Sequence, residues 1–119
     1  MAYKKYLNRI TCGDCEEILK RIDSDSVDLV LTSPPYANLR RYRMNKNDGL
    51  SELAPDKYVN WFLPKAKEIY RVLKPEGSFV LNINDRTVDN FQHLYVFELV
   101  LKLCNEVGAG GQIDRKSVV

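Results

Sequence analysis

The apolar run at residues 27–31, Val-Asp-Leu-Val-Leu, is followed closely by two prolines, and this junction constrains the fold more than any other segment. A short apolar run bounded by turn residues predicts a buried strand. Proline has no backbone donor and forces the preceding residue to be extended, so the strand must stop there. We therefore expect Ser33, Pro34 and Tyr36 to present a hydroxyl, a carbonyl and an aromatic face beyond the sheet edge. The alternative is an ordinary strand that ends in a Pro-Pro turn.

The remaining sequence alternates predicted strands with predicted helices. Strands are predicted at residues 8–12, 27–32 and 78–84, and helices at residues 15–22, 55–73 and 93–107. Pro64 interrupts the second helix and predicts a kink or a restart there. Strands connected by helices form parallel sheets through right-handed crossovers, so the sequence predicts an α/β fold with a mostly parallel sheet and helices on both faces.

Two details of these elements are specific enough to check. Residues 74–77, Lys-Pro-Glu-Gly, have the composition of a helix stop, so we expect the second helix to end before them. The third helix carries an apolar side that we expect to be buried. That side consists of Leu94, Phe97, Leu101 and Cys104.

Ser33-Pro34-Pro35-Tyr36 resembles the (Asp/Asn/Ser)-Pro-Pro-(Tyr/Phe) catalytic motif of the S-adenosylmethionine-dependent DNA amino-methyltransferases, whose Ser form is most typical of enzymes that act on cytosine N4. Residues 10–22 and 70–83 resemble the segments that precede and follow this motif, so the resemblance spans about residues 10–107. It implies a partial Rossmann-like methyltransferase fold. It also implies S-adenosyl-L-methionine as cofactor, Asp14 as a contact to the cofactor adenine, and double-stranded DNA with a flipped target base as partner.

One part of the family pattern is missing. In family members that begin with the catalytic motif, a Phe-x-Gly-x-Gly loop near the C-terminus holds the methionine and ribose of the cofactor. Gly108-Ala109-Gly110-Gly111 has no apolar strand before it and no helix after it. We therefore expect residues 1–107 to be the N-terminal part of a C-terminally truncated methyltransferase domain that is inactive alone. Residues 108–119 are expected to be an artefactual tail, because residues 114–119 read like a translated sequencing adapter.

Residues 37–54 have little hydrophobic periodicity and several basic side chains. A segment of this length without periodicity is usually functional or disordered. Because it follows the catalytic motif directly, we expect its basic side chains to contact DNA phosphates; the alternative is a solvated loop without fixed partners. These side chains are Arg40, Arg41, Arg43 and Lys46.

Polar residues follow each of the three predicted strands. Ligands of open α/β sheets bind beyond the carboxyl ends of the strands. If the three strands are neighbours, Asp14, the Ser33 motif and residues 82–85 line one crevice. For Asn82, Asn84 and Asp85, solvent-facing polarity at a strand end is the alternative.

Cys12 and Cys15 have the spacing of zinc and redox sites. A four-ligand zinc site would have to recruit Cys104 and His93, the one remaining cysteine and the sole histidine. We therefore expect no metal and interpret the three thiols as buried residues of a strand and of helix faces.

The composition, 45% hydrophobic and 29% charged over 119 residues, fits one modest globular domain. No apolar stretch approaches the roughly 20 residues of a membrane-spanning helix, and no signal-peptide core follows the first residues, so we expect a cytoplasmic protein. A net charge of +2 is too small to indicate nucleic-acid binding by itself.

Three kinds of function remain open. The first is a restriction-modification enzyme that methylates cytosine N4 or, as second choice, adenine N6. The second is an inert fragment that binds nucleic acid weakly. The third is methylation of a protein glutamine, as Asn-Pro-Pro-Tyr enzymes do, and Ser33 in place of Asn argues against it.

Overall fold

The computed structural model describes residues 2–35, 55–84, 86–88, 90–107 and 117–118. Its helices are α1 (Cys15–Leu19), α2 (Pro55–Val72) and α3 (Tyr95–Lys102), with a 3-10 helix at Ala2–Tyr6 and a π-helical segment at Leu103–Val107. Its strands are β1 (Val27–Thr32), β2 (Leu73–Leu81), β3 (Arg86–Val88), β4 (Phe91–His93) and β5 (Ser117–Val118). No helix among these ranges is long and apolar enough to cross a membrane.

The central strand of the sheet is β2, which pairs with β1 on one side and with β5 on the other, both in parallel. The short strands β3 and β4 form a separate antiparallel pair. The predicted α/β fold with a parallel sheet is therefore confirmed. In the C-terminal stretch, Ser117 and Val118 pair with Ser78 and Phe79. The rest of residues 108–119 lies outside the described residues, so their interpretation as an artefactual tail stays a prediction.

The pairing of β1 with β2 contains one irregularity. Val27 pairs with Leu73, but the next pair joins Leu29 to Ser78, so residues 74–77 bulge opposite Asp28. As predicted, α2 ends before residues 74–77. The strand then begins at Leu73 instead of residue 78, because the parallel ladder accommodates the turn-like segment as a bulge.

The hydrophobic core is built around α2. Tyr58 is fully buried, and its ring stacks on Phe62 and meets the ring of Tyr95 edge-on. Burial of an apolar side chain such as that of Phe62 contributes roughly 1.5–3 kcal/mol of transfer free energy. The helix is continuous from Pro55 to Val72, so a restart at Pro64, whose side chain is exposed, is wrong. The buried residues of the cluster are Tyr58, Val59, Phe62, Leu63, Ala66, Ile69, Leu73, Phe79, Tyr95, Leu99 and Leu103.

The predicted first strand does not form. Residues 9–12 have no regular secondary structure, Asn8 has a φ of 56°, and Ile10 is fully exposed. A strand needs a partner to satisfy its backbone groups, and no described strand lies beside this segment. Burial of Cys12 and Cys15 is also wrong, because both are exposed.

The predicted buried side of α3 is wrong as well. Tyr95, Leu99 and Leu103 are buried at four-residue spacing. The side that was expected to be buried contains Leu94, Phe97 and Leu101, which are 57%, 58% and 63% exposed, and Cys104, which is half-buried. This helix is apolar on two sides, so the hydrophobic pattern alone does not decide which side packs against α2.

Arg71, near the end of α2, ties α1 and the α1–β1 connection to the core. Its guanidinium donates to the carbonyl of Leu19 at 2.8 Å, to Ser24 Oγ at 3.0 Å and to Glu68 Oε2 at 2.9 Å. The carbonyl of Arg71 accepts a bond from the amide of Asp25 at 3.1 Å. The entry into β1 is therefore fixed by the C-terminal end of α2.

Gly77→Ala tests the bulge in β2. A Cβ at Gly77 would lie 3.0 Å from the Lys74 carbonyl oxygen and 3.2 Å from that of Asp28, both backbone atoms that cannot easily move. We expect Gly77→Ala to lower the free energy of unfolding in urea by about 1–3 kcal/mol. Glu76→Ala, at the exposed neighbouring position, should change it by less than about 0.5 kcal/mol. Equal stability of the two variants would contradict the described register.

Candidate active site

The carboxyl ends of β1 and β2 lie side by side. Thr32 pairs with Leu81, and the Thr32 carbonyl accepts a hydrogen bond of 2.9 Å from the amide of Asn82. Ser33 and residues 82–84 therefore leave the sheet as neighbours. The structure thus brings together two of the three segments that were expected to line one crevice.

The two prolines anchor the end of β1, and Ser33 remains accessible. Pro34 is buried and Pro35 is half-buried, whereas Ser33 is exposed. Proline also fixes its own φ and keeps the preceding residue extended. The Ser33 hydroxyl is therefore held on a short segment whose backbone has little freedom, between a paired strand and a buried ring. Its position is therefore set by the backbone before a ligand arrives.

Asp14 is the N-cap of α1. Its Oδ1 accepts hydrogen bonds from the amides of Glu16 at 2.8 Å and Glu17 at 3.3 Å. Oδ2 makes no hydrogen bond with the described part of the chain. Capping therefore commits one carboxylate oxygen and orients the other.

Asp14 takes no part in the ion pairs described around α1. Lys20 pairs with Glu17 at 2.9 Å, and this hydrogen bond raises the pKa of Lys20 above its ordinary value. Glu16 lies 3.5 Å from Lys65, whose ammonium sits 4.5 Å from the centre of the Trp61 ring. Asp14 has no ion-pair partner among the described residues. Its charge is therefore not neutralised by a neighbouring cation in the described part of the chain.

The predicted crevice of three neighbouring strands is wrong in one respect. Because no strand precedes Asp14, this residue does not lie at the carboxyl end of a sheet strand. Its position depends on α1, which the Glu16–Lys65 pair and the bond from Arg71 to Leu19 attach to α2.

Several predicted site residues lie outside the described part of the chain. They are Tyr36, Arg40, Arg41, Arg43, Lys46 and Asp85.

One residue beside the site was missed by sequence reasoning. Tyr95 is fully buried, and its hydroxyl donates to the carbonyl of Asn84, in the segment next to Ser33. The four-residue spacing of Tyr95, Leu99 and Leu103 could have identified it, because this spacing predicts a buried side of the helix. A buried tyrosine at the start of that side usually bonds a partner through its hydroxyl.

Comparison with known proteins decides the family. The family model for DNA methylases of the N6/N4 type matches residues 27–113, which is more than half of the chain. The chain belongs to the DNA methylase family. The type II methyltransferase M.PvuII of Proteus hauseri is 31% identical over 109 residues, which cover 90% of this chain and 31% of that protein. The type II methyltransferase M.BglII of Bacillus subtilis is 36% identical over 91 residues, which cover 76% of this chain and 23% of that protein.

The fold agrees with this assignment. The solved structure of the PvuII DNA methyltransferase, described as cytosine-N4-specific, matches this methylase chain with a TM-score of 0.64 at 34% identity. The match covers 81% of this chain and 33% of that structure. The predicted family resemblance and methyltransferase fold are therefore confirmed. The chain spans about a third or less of the length of these relatives.

Two substitutions separate the cap from the charge of Asp14. Asp14→Ala removes the acceptor for two α1 amides and should lower the free energy of unfolding by about 0.5–2 kcal/mol. Asp14→Asn keeps an oxygen that can accept both bonds, so we expect it to retain most of this stability. Thermal and urea unfolding of the two variants measure the difference. A loss in Asp14→Asn equal to that in Asp14→Ala would contradict the capping role.

Proposed function

We propose that this segment carries the methyl-transfer site of a site-specific DNA methyltransferase, the modification enzyme of a restriction-type system. The reaction transfers a methyl group from S-adenosyl-L-methionine to the exocyclic amine of a flipped base, cytosine N4. One observation carries the proposal: in a member of the DNA methylase family, Ser33 and Pro34 stand at the carboxyl end of a parallel strand beside the end of its neighbour. Adenine N6 is the second candidate. Ser33 and the likeness to a cytosine-N4-specific structure favour cytosine.

The chemical problem is the low reactivity of the target amine. Its lone pair is delocalised into the ring, and the base is inaccessible inside a duplex. Extrusion of the base costs a few kcal/mol, and stacking on Tyr36 offsets this cost. Ser33 Oγ and the Pro34 carbonyl accept the two amine hydrogens, which favours a pyramidal nitrogen whose lone pair faces the methyl group.

The described geometry supports this role for Ser33. The acceptors in such a site are effective when they are already in place, because no free energy is then spent on reorganisation during the reaction. The β1–β2 ladder and the buried Pro34 supply that rigidity. No strong base is required, because the methylated amine is acidic enough to lose its proton after transfer.

Asp14 is the proposed contact to the adenine of the cofactor. Bound S-adenosyl-L-methionine supplies an electrophilic methyl group on a sulfonium. Because the α1 amides hold Oδ1, Oδ2 is oriented to accept a hydrogen bond from an amine. Asp14 therefore fits the role of a hydrogen-bond acceptor that orients the cofactor, whereas Ser33 is the residue proposed to act on the target amine.

The proposed partner is double-stranded DNA, and the proposed location is the cytoplasm. Arg40, Arg41, Arg43 and Lys46 directly follow the catalytic motif in sequence. Basic side chains at this position can neutralise phosphates on either side of an extruded base.

Ser33→Ala tests the proposed function in the full-length protein. Loss of one positioned acceptor should reduce methyl transfer to DNA by roughly one to three orders of magnitude, with little change in cofactor affinity. Incorporation from labelled S-adenosyl-L-methionine and calorimetric cofactor binding measure the two effects. Glu76→Ala, at an exposed position in the β2 bulge, serves as control. Wild-type turnover in Ser33→Ala would remove Ser33 from the mechanism.

Tyr36 is proposed to act through its aromatic face. Tyr36→Phe should therefore keep most of the activity, whereas Tyr36→Ala should weaken binding of the target base by about 1–3 kcal/mol. Binding to DNA that carries a mismatch at the target position isolates the stacking contribution, because extrusion is then less costly. Equal damage from both substitutions would indicate a role for the hydroxyl.

A further inference from the structure

We propose that Tyr95 is a positioning residue for methyl transfer, whose hydroxyl holds residues 82–84 against Ser33 as the second wall of the site. The inference rests on the proposed function, because it concerns the same site. It assigns a role to a residue on α3. This helix lies outside both the Ser-Pro-Pro-Tyr motif and residues 82–84.

The segment that needs to be held is residues 82–84. It follows β2, has no regular secondary structure and carries exposed Asn82 and Asn84 side chains. Its first amide is bonded to the Thr32 carbonyl, one residue before Ser33. Beyond that bond the β1–β2 ladder provides no further support. Ile83 packs in part against the core and gives the segment one apolar contact.

The second attachment comes from Tyr95. The Tyr95 hydroxyl donates to the Asn84 carbonyl, so residues 82–84 are tied to the protein at both ends. One tie leads to the strand that carries Ser33, and the other leads to the hydrophobic core. These two bonds hold the backbone of residues 82–84 beside Ser33.

Tyr95 is itself firmly held. Its side chain is fully buried, and its ring lies 5.1 Å from the ring of Tyr58 at an interplanar angle of 63°. Its backbone amide donates to His93 Nδ1 at 3.2 Å. A buried ring with these contacts has little room to follow a shifted carbonyl. Loss of the hydroxyl would leave the Asn84 carbonyl without this donor, and the segment would relax toward water.

Displacement of a segment next to the reacting atoms reduces the rate of the reaction more than it weakens substrate binding. A misplacement of about 1 Å near a reacting group reduces turnover by up to about 100-fold, because near-attack geometry is lost. Tyr95→Phe keeps the ring and its packing on Tyr58 and removes only the hydroxyl. It is therefore the variant that isolates the bond to Asn84.

The experiment compares Tyr95→Phe with Ile69→Val in the full-length protein. Ile69 is buried on α2, and its shortening lowers stability by removing a methyl group from the core while the Tyr95 hydroxyl stays in place. For Tyr95→Phe we expect amide exchange at residues 82–84 to rise about tenfold or more and kcat to fall about 10- to 100-fold. The KM for DNA should change less than about threefold, because the bound phosphates and base are unaffected. Ile69→Val should lower the Tm and leave kcat and the exchange of residues 82–84 unchanged.

The outcomes separate the two proposals. Unchanged exchange at residues 82–84 in Tyr95→Phe, or equal loss of kcat in Tyr95→Phe and Ile69→Val, overturns the positioning role. If Ser33→Ala abolishes methyl transfer and Tyr95→Phe retains wild-type kcat, the positioning role alone is overturned. If Ser33→Ala retains full turnover, the proposed function fails and the role of Tyr95 in methyl transfer fails with it.

Discussion

The parallel pairing of β1 with β2 is the interaction on which the described structure depends. Five pairs of residues define its register, and its last bond joins the Asn82 amide to the Thr32 carbonyl. A shift of one residue would turn every β1 side chain to the opposite face and would move Ser33 away from residues 82–84. The site proposed here is therefore a consequence of strand register. Gly77 helps to maintain that register, because a Cβ there would lie only 3.2 Å from the Asp28 carbonyl oxygen.

The hydrophobic core stabilises the β1–β2 pairing by packing against one face of the sheet. Val30 and its pairing partner Phe79 pack in the cluster around α2, whereas Leu29 and Leu31 are 56% and 69% exposed. Successive residues of a strand point to opposite faces, so one sheet face is packed and the other presents apolar side chains in the described part of the chain. Exposed apolar surface of this kind favours association in solution. The stability of the site thus comes from α2, whose C-terminal Arg71 also holds the connection into β1.

The sequence was sufficient to predict the structure of segments whose conformation depends on neighbouring residues alone. An apolar run that meets two prolines can only end there, so the placement of Ser33 at the end of β1 followed directly from Pro34 and Pro35. The helix α2 was equally predictable because its apolar residues define a single side. The sequence was insufficient to predict segments whose conformation depends on a partner far away in the chain. Residues 8–12 have no strand to pair with in the described part of the chain. The helix α3 is apolar on two sides, so its orientation depends on the contacts of Tyr95 with Tyr58 and Asn84.

Asp14 caps a helix and is also the residue proposed to contact the cofactor. The resemblance to DNA methyltransferases implied a cofactor contact, and the structure shows an N-cap whose Oδ1 is occupied by two amides. These roles are compatible because a carboxylate has two oxygens, and the cap orients the second. Ser33 is held in a comparable way, by a backbone whose freedom was removed by strand pairing and by proline. In both cases the protein fixes the acceptor before a ligand arrives, which suits a reaction whose rate depends on geometry more than on a strong base.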